Sequence, residues 1–125
     1  MTSRIILLVA LLITQSVAFA QKKSSPKTEM SQLIKEQFSF AADQYKILAQ
    51  RTPADRMPKT YYKATDSLET SDTKWWTSGF FPGSLLYIYE YTHDAQLLSE
   101  AKKRLQLLEK EKHFTGHHDL GFMMF

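Results

Sequence analysis

Phe81-Pro82-Gly83-Ser84-Leu85-Leu86-Tyr87-Ile88-Tyr89-Glu90-Tyr91, followed closely by Ala95-Gln96-Leu97-Leu98-Ser99-Glu100-Ala101-Lys102-Lys103-Arg104-Leu105-Gln106-Leu107-Leu108, decides the fold class. The first run, over 81–91, is apolar almost all round, the pattern of a helix buried on most sides. Pro82 fits its first turn, where a missing N–H costs least. The second run, read as a helix over 95–112, carries one apolar stripe through Leu97, Leu98, Ala101, Leu105 and Leu108. Charged and polar residues cover its other faces, and Asp94 stands where a cap is wanted. An inner helix followed by an outer, amphipathic one is the unit of a double-layered helical barrel.

Upstream, Met30, Leu33, Ile34, Phe38, Ala41, Ala42, Tyr45 and Leu48 recur at helical spacing and predict a helix over 28–49. Pro53 and Pro58 bracket the loop that follows. Residues 59–76 carry turn chemistry at Thr65-Asp66-Ser67 and Thr70-Ser71-Asp72-Thr73, so a long ordered loop is expected there, with Tyr61-Tyr62 at most a short strand. No strand pairing and no internal repeat are evident, and the class is all-α. The chain stops at Phe122-Met123-Met124-Phe125, where a fourth apolar helix begins. Three helices and the start of a fourth make a poor closed core, so the sequence reads as part of a longer domain.

The first twenty residues have the form of an export signal. Arg4 supplies the basic start, and Ile5 through Ile13 is an unbroken apolar run too short to span a bilayer. Ala18-Phe19-Ala20 is a small-x-small cleavage site, which would leave Gln21 at the mature terminus. Residues 21–27 read as a flexible leader. The expected product is exported, periplasmic or secreted, and free of the membrane after cleavage.

Composition narrows the function classes. Of 16 basic residues, Arg4 goes with the signal, leaving 15 against 13 acidic ones. That balance, with scattered lysines, gives no footprint for nucleic acid. Lys102-Lys103-Arg104 reads as the solvated face of a helix, and His93 as a surface residue. There is no cysteine, which excludes disulfides, thiolate metal sites and a cysteine nucleophile. Aromatics make up 13% of the chain. Most serve a core, although a flat ring can also stack on the apolar face of a sugar.

Both tryptophans and all four glycines fall in two segments, Trp75-Trp76-Thr77-Ser78-Gly79-Phe80-Phe81-Pro82-Gly83 and Gly116-His117-His118-Asp119-Leu120-Gly121-Phe122. Glycines permit tight turns and close approach. Rings and a carboxylate set around such turns outline a lined pocket at one end of a barrel. Asp119 has two readings. It can cap the helix that follows. Enclosed by Phe122, Trp76 and Phe80, it would instead be partly desolvated, with a raised pKa suited to proton handling. Adjacent His117 and His118 point in different directions, and His113-x-x-x-His117 is broken by Gly116, so a metal site is not favoured.

Ser71-Asp72-Thr73-Lys74-Trp75-Trp76-Thr77-Ser78-Gly79-Phe80-Phe81-Pro82-Gly83-Ser84-Leu85 together with His118-Asp119-Leu120-Gly121-Phe122 resembles the unsaturated glucuronyl hydrolases, glycoside hydrolase family 88. The resemblance covers essentially all of the chain after the signal. It implies an (α/α)6 barrel, present here as its first three helices and the start of a fourth. It implies an acidic oligosaccharide substrate bearing a 4,5-unsaturated uronic acid at the non-reducing end, and neither metal nor organic cofactor. By position, Asp119 matches one of two essential aspartates, His118 its neighbour in the sugar subsite, and Trp76 and Phe80 aromatic walls. The second aspartate lies beyond this sequence, so the chain alone is expected to be inactive. Two alternatives stand beside this reading: an unsaturated rhamnogalacturonyl hydrolase, and a truncated, non-catalytic carbohydrate-binding module using Trp75, Trp76 and Phe80. Oligomeric state, sulfation preference and linkage preference are not encoded legibly.

Overall fold

A computed structural model describes residues 25–116 and 118–124. The segment expected to be an export signal and most of the expected leader, like His117, lie outside the described residues. Among the described residues, four helices and one hairpin follow in the order α1 (Pro26–Arg51), β1 (Met57–Tyr62), β2 (Ser67–Ser71), α2 (Phe80–Thr92), α3 (Ala95–Leu108) and α4 (Leu120–Met124), with a 3-10 turn over Glu109–Glu111. Among the described residues no helix is long and apolar enough to cross a membrane.

The start of α1 is set by Ser25-Pro26. The Ser25 hydroxyl accepts from the Thr28 N–H at 3.2 Å, and proline occupies the first helical position. The helix therefore begins two residues earlier than apolar spacing predicts, and Pro26 and Lys27 belong to it rather than to a leader. Farther along, Phe38, Ala41, Ala42, Tyr45, Leu48 and Ala49 lie along the core. The last turn closes where the Thr52 hydroxyl and N–H both donate to the Leu48 carbonyl, at 2.7 and 3.0 Å, and Pro53 cannot continue it.

The expected loop over 59–76 contains an antiparallel hairpin instead. Met57 pairs with Ser71, Pro58 with Thr70, Thr60 with Glu69 and Tyr62 with Ser67, and Lys59 bulges out between the first and second halves. Thr65 and Asp66 are turn chemistry, as read, but in the turn of this hairpin, and Ser67 already opens β2. Asp66 takes the left-handed conformation at φ 46° that a tight return needs. Arg51 and the Tyr61 hydroxyl both bond the Asp66 carboxylate, at 2.9 and 2.8 Å, and together hold it below the usual carboxylate range. Only Met57 of β1 is buried, so no apolar alternation announces the strand.

Helix α2 matches its predicted span closely. Phe81, Pro82, Leu85 and Ile88 face the core, whereas Phe80, Tyr87 and Tyr91 are exposed. The helix is thus two-faced despite its all-round apolar sequence. It ends at His93 in the left-handed region, whose N–H reaches the Tyr89 carbonyl at 2.7 Å. Asp94 then caps α3 as expected, accepting from the Gln96 N–H at 2.9 Å. Its other oxygen lies 2.6 Å from Lys46 of α1.

Within the basic triplet Lys102 and Lys103 are exposed as expected, but Arg104 is not. Arg104 is buried on the stripe with Leu97, Ala101 and Leu108, and Leu105 is exposed. The Arg104 guanidinium donates to the carbonyls of Thr52, Pro53 and Arg56 and to Glu100, fastening the loop after α1 onto α3. Helical periodicity ends at Leu108 rather than at Lys112. The core joins Ala42, Met57, Phe81, Leu85, Ile88, Leu97, Ala101 and Leu108.

Candidate active site

The turn between β2 and α2 carries both tryptophans. The Asp72 carboxylate accepts from the Lys74 N–H at 3.0 Å, an Asx turn that redirects the chain. The N–H of Ser78 then closes on the Trp75 carbonyl at 2.8 Å, and that of Phe80 on Thr77 at 3.0 Å. This compact turn leaves Trp76 and Phe80 about half exposed, with ring centroids 5.8 Å apart and planes at 81°.

Trp76 also meets the second segment. Its ring lies 6.4 Å from that of Phe122, again nearly perpendicular. Edge-to-face pairs at these separations are the arrangement that ring quadrupoles favour. The two segments can approach because Gly79 has no side chain. A Cβ there would collide with the Met123 carbonyl oxygen and lie 2.7 Å from its carbonyl carbon. The glycine-rich spacing thus has a definite physical use: α4 rests on the first turn of α2, and Phe122 is delivered to Trp76.

Asp119 stands at the head of α4, where its carbonyl accepts from the Phe122 N–H at 2.9 Å. Its side chain is 24% exposed, and His118 Nε2 lies 3.2 Å from one carboxylate oxygen. The His118 ring itself projects into solvent. The fold therefore gathers Trp76, Phe80 and Phe122 into one cluster, with Asp119 one turn before Phe122. Among the described residues no group of three or more acidic or histidine side chains could hold a metal ion.

Trp75 is differently placed. The Lys59 ammonium sits over its ring at 4.5 Å, while also pairing with Glu69 at 2.5 Å. One face of Trp75 is thereby occupied by the protein itself.

Beyond the ring cluster, the exposed face of α2 borders an open, mainly apolar cleft of about 1160 Å3, with Phe80, Gly83, Tyr87, Phe38, Gln44 and Phe122 among its walls. Phe38 stacks on Tyr91, with centroids 4.2 Å apart. This extension of the site was missed in the sequence, although tyrosines interspersed in an otherwise apolar helix are a signal that one face is not core.

No protein-family model matches the chain. Over 123 residues, 94% of its length, it is 29% identical to an unsaturated glucuronyl hydrolase of Formosa agariphila. A crystal structure of an unsaturated glucuronyl hydrolase specific for heparin superposes on 71% of the chain with a TM-score of 0.65 and 32% identity. The chain is similar to the unsaturated glucuronyl hydrolases. It spans 31% of the first relative and 24% of the second. The unsaturated glucuronyl hydrolase likeness agrees with the helix order, and the fold class is that of an incomplete (α/α)6 barrel with a hairpin inserted between its first two helices.

Proposed function

We propose that the protein is an unsaturated uronyl hydrolase acting on lyase-generated oligosaccharides, and that the Trp76–Phe80–Phe122 cluster beside Asp119 is one wall of its sugar subsite. The observation that carries this reading is the contact of Trp76 with rings from both segments. Half-exposed rings next to a partly covered carboxylate suit a sugar with an apolar face and an acidic edge. The likeness to unsaturated glucuronyl hydrolases along almost the whole chain supports the same choice.

The reaction is hydration of a vinyl ether rather than displacement at the anomeric carbon. A proton is added at C4, positive charge develops at C5 and the ring oxygen, and water adds at C5 and gives up a proton. The resulting hemiketal opens and releases the neighbouring sugar. Asp119 serves as hydrogen-bonding and charge partner to the reacting ring, His118 flanks it, and Trp76 and Phe80 hold the ring face. A second acid/base group is needed to deliver and receive protons, and it comes from outside the 125 residues. Glycosaminoglycan fragments are the substrate class, and the leading twenty residues direct export.

The test follows the ultraviolet absorbance of the conjugated enol ether in unsaturated chondroitin and heparin disaccharides. Turnover by a longer gene product, abolished by Asp119→Asn, is expected, and no turnover by the 125-residue chain. Preference for an unsaturated rhamnogalacturonan disaccharide would redirect the assignment to that related activity. Export is read separately: N-terminal sequencing of the secreted protein should start at Gln21. A purely carbohydrate-binding role is less favoured, because Lys59 covers one face of a ring such a surface would use.

A further inference from the structure

The turn that carries Trp76 also holds a buried polar chain that the sugar-site reading does not use. Ser78 is fully buried and its hydroxyl donates to the Thr73 carbonyl at 2.8 Å. The Thr73 hydroxyl, 3% exposed as a residue, donates to Glu111 Oε1 at 2.6 Å. Glu111 is 4% exposed and belongs to the 3-10 turn that ends α3. Its own carbonyl accepts from the Phe114 N–H at 2.8 Å, and Lys74 lies over the Phe114 ring at 5.5 Å. The turn bearing Trp76 is therefore fastened to the same stretch of chain that runs on to His118 and Asp119.

A buried carboxylate is a poor choice for stability alone. Well-packed apolar groups of similar volume often serve as well or better, whereas a charged acceptor imposes one geometry on its donor. The Oε1 of buried Glu111 takes the Thr73 hydroxyl of the turn at 2.6 Å, with the Lys110 ammonium farther off at 4.0 Å.

We propose that Glu111 is a positioning residue, holding the Trp75–Ser78 turn through Thr73 so that Trp76 faces Phe122 and the site of Asp119. The inference rests on the sugar-subsite reading of that cluster.

The experiment uses the chain with Glu111→Gln, Glu111→Leu and Thr73→Val. The two tryptophans both lie in this turn, so their emission and near-ultraviolet circular dichroism report on it directly. Binding of an unsaturated chondroitin disaccharide is titrated by tryptophan fluorescence, and folding is checked by urea midpoint. Glu111→Gln keeps a carbonyl acceptor for Thr73 and should bind within about twofold of the parent. Glu111→Leu should weaken binding tenfold or more and lose near-ultraviolet signal while its urea midpoint holds. Parent-like binding and spectrum in a folded Glu111→Leu overturn the proposal. If that variant does not fold, Thr73→Val decides, with at least threefold weaker binding expected and unchanged binding overturning it. If the parent itself does not bind the disaccharide, the subsite reading fails instead. The spectra then judge the strut alone: an unaltered spectrum in Thr73→Val overturns it, and a lost one sustains it.

Discussion

Replacing Gly79 by alanine opposes two effects that the structure separates. The backbone at Gly79 has φ −75° and ψ −21°, which alanine adopts without strain. Taken alone, that change restricts the unfolded chain and would stabilise the protein by about 0.4–1 kcal/mol. The new methyl, however, would overlap the Met123 carbonyl oxygen, with the carbonyl carbon at 2.7 Å and Cα at 3.0 Å. Carbon atoms pack at about 3.5–4.0 Å, so α4 must retreat by roughly 1 Å. The obstacle is backbone in a buried residue, and no side-chain rotation relieves it. Overpacking of this kind costs about 1–3 kcal/mol, which exceeds the entropic gain. Gly79→Ala should therefore lower stability by about 1 kcal/mol or more and pull Phe122 off Trp76. Urea unfolding followed by circular dichroism gives the first quantity, and the near-ultraviolet tryptophan signal gives the second. Gly83→Ala is the control: it lies inside α2 with nothing within 4 Å of the added methyl. That variant should be stabilised by about 0.5–1 kcal/mol. A Gly79→Ala protein as stable as the Gly83→Ala control, with its tryptophan spectrum intact, would refute the claim that the two segments meet at this glycine.

Three further outcomes are expected. Arg104→Met should destabilise by about 3–5 kcal/mol, because carbonyls of residues 52–56 and the Glu100 carboxylate lose their buried donor. Arg104→Lys should not restore it in chemical denaturation, since one ammonium cannot reproduce the fork. Lys46 bonds the Asp94 carboxylate and holds it below its usual range. Its contribution is complete above the unfolded value, about 3.9, and is lost as pH falls through the lower folded value. The stability deficit of Asp94→Asn should thus be largest near neutrality and shrink in acid, as measured by urea midpoints across pH. Trp76→Ala should weaken disaccharide binding about tenfold, read by the remaining Trp75 emission, while costing little stability because its ring is half exposed.

Helices α2 and α3 were legible because local rules agree there. Pro82 sits in a first turn, Asp94 caps, and the apolar stripe has helical period. Arg104 was misread for an instructive reason. Its spacing from Ala101 and Leu108 places it on the buried stripe, but its charge and its lysine neighbours suggested solvent. The carbonyls that pay for its burial come from a loop about fifty residues earlier, which no local pattern displays. The hairpin was hidden because its strands put tyrosines and a lysine outside and bury only Met57 and the small polar Ser71. At the site, the rings and Asp119 were visible as residue types. The contact of Gly79 with Met123 and the bond of Thr73 to Glu111 join distant segments and needed the fold.

The hairpin has a consequence for solubility. A two-stranded sheet leaves an outer edge on each strand, and an open edge is a template on which a second chain can add. Strand β1 carries Pro58, which offers no N–H, followed immediately by the Lys59 bulge that breaks the ladder. An approaching strand would meet a missing donor, a kink and a cation within two residues. A hairpin with Tyr61 and Tyr62 both exposed thus resists recruiting copies of itself, and Pro58→Thr with Lys59→Val should turn it into a seed for aggregation.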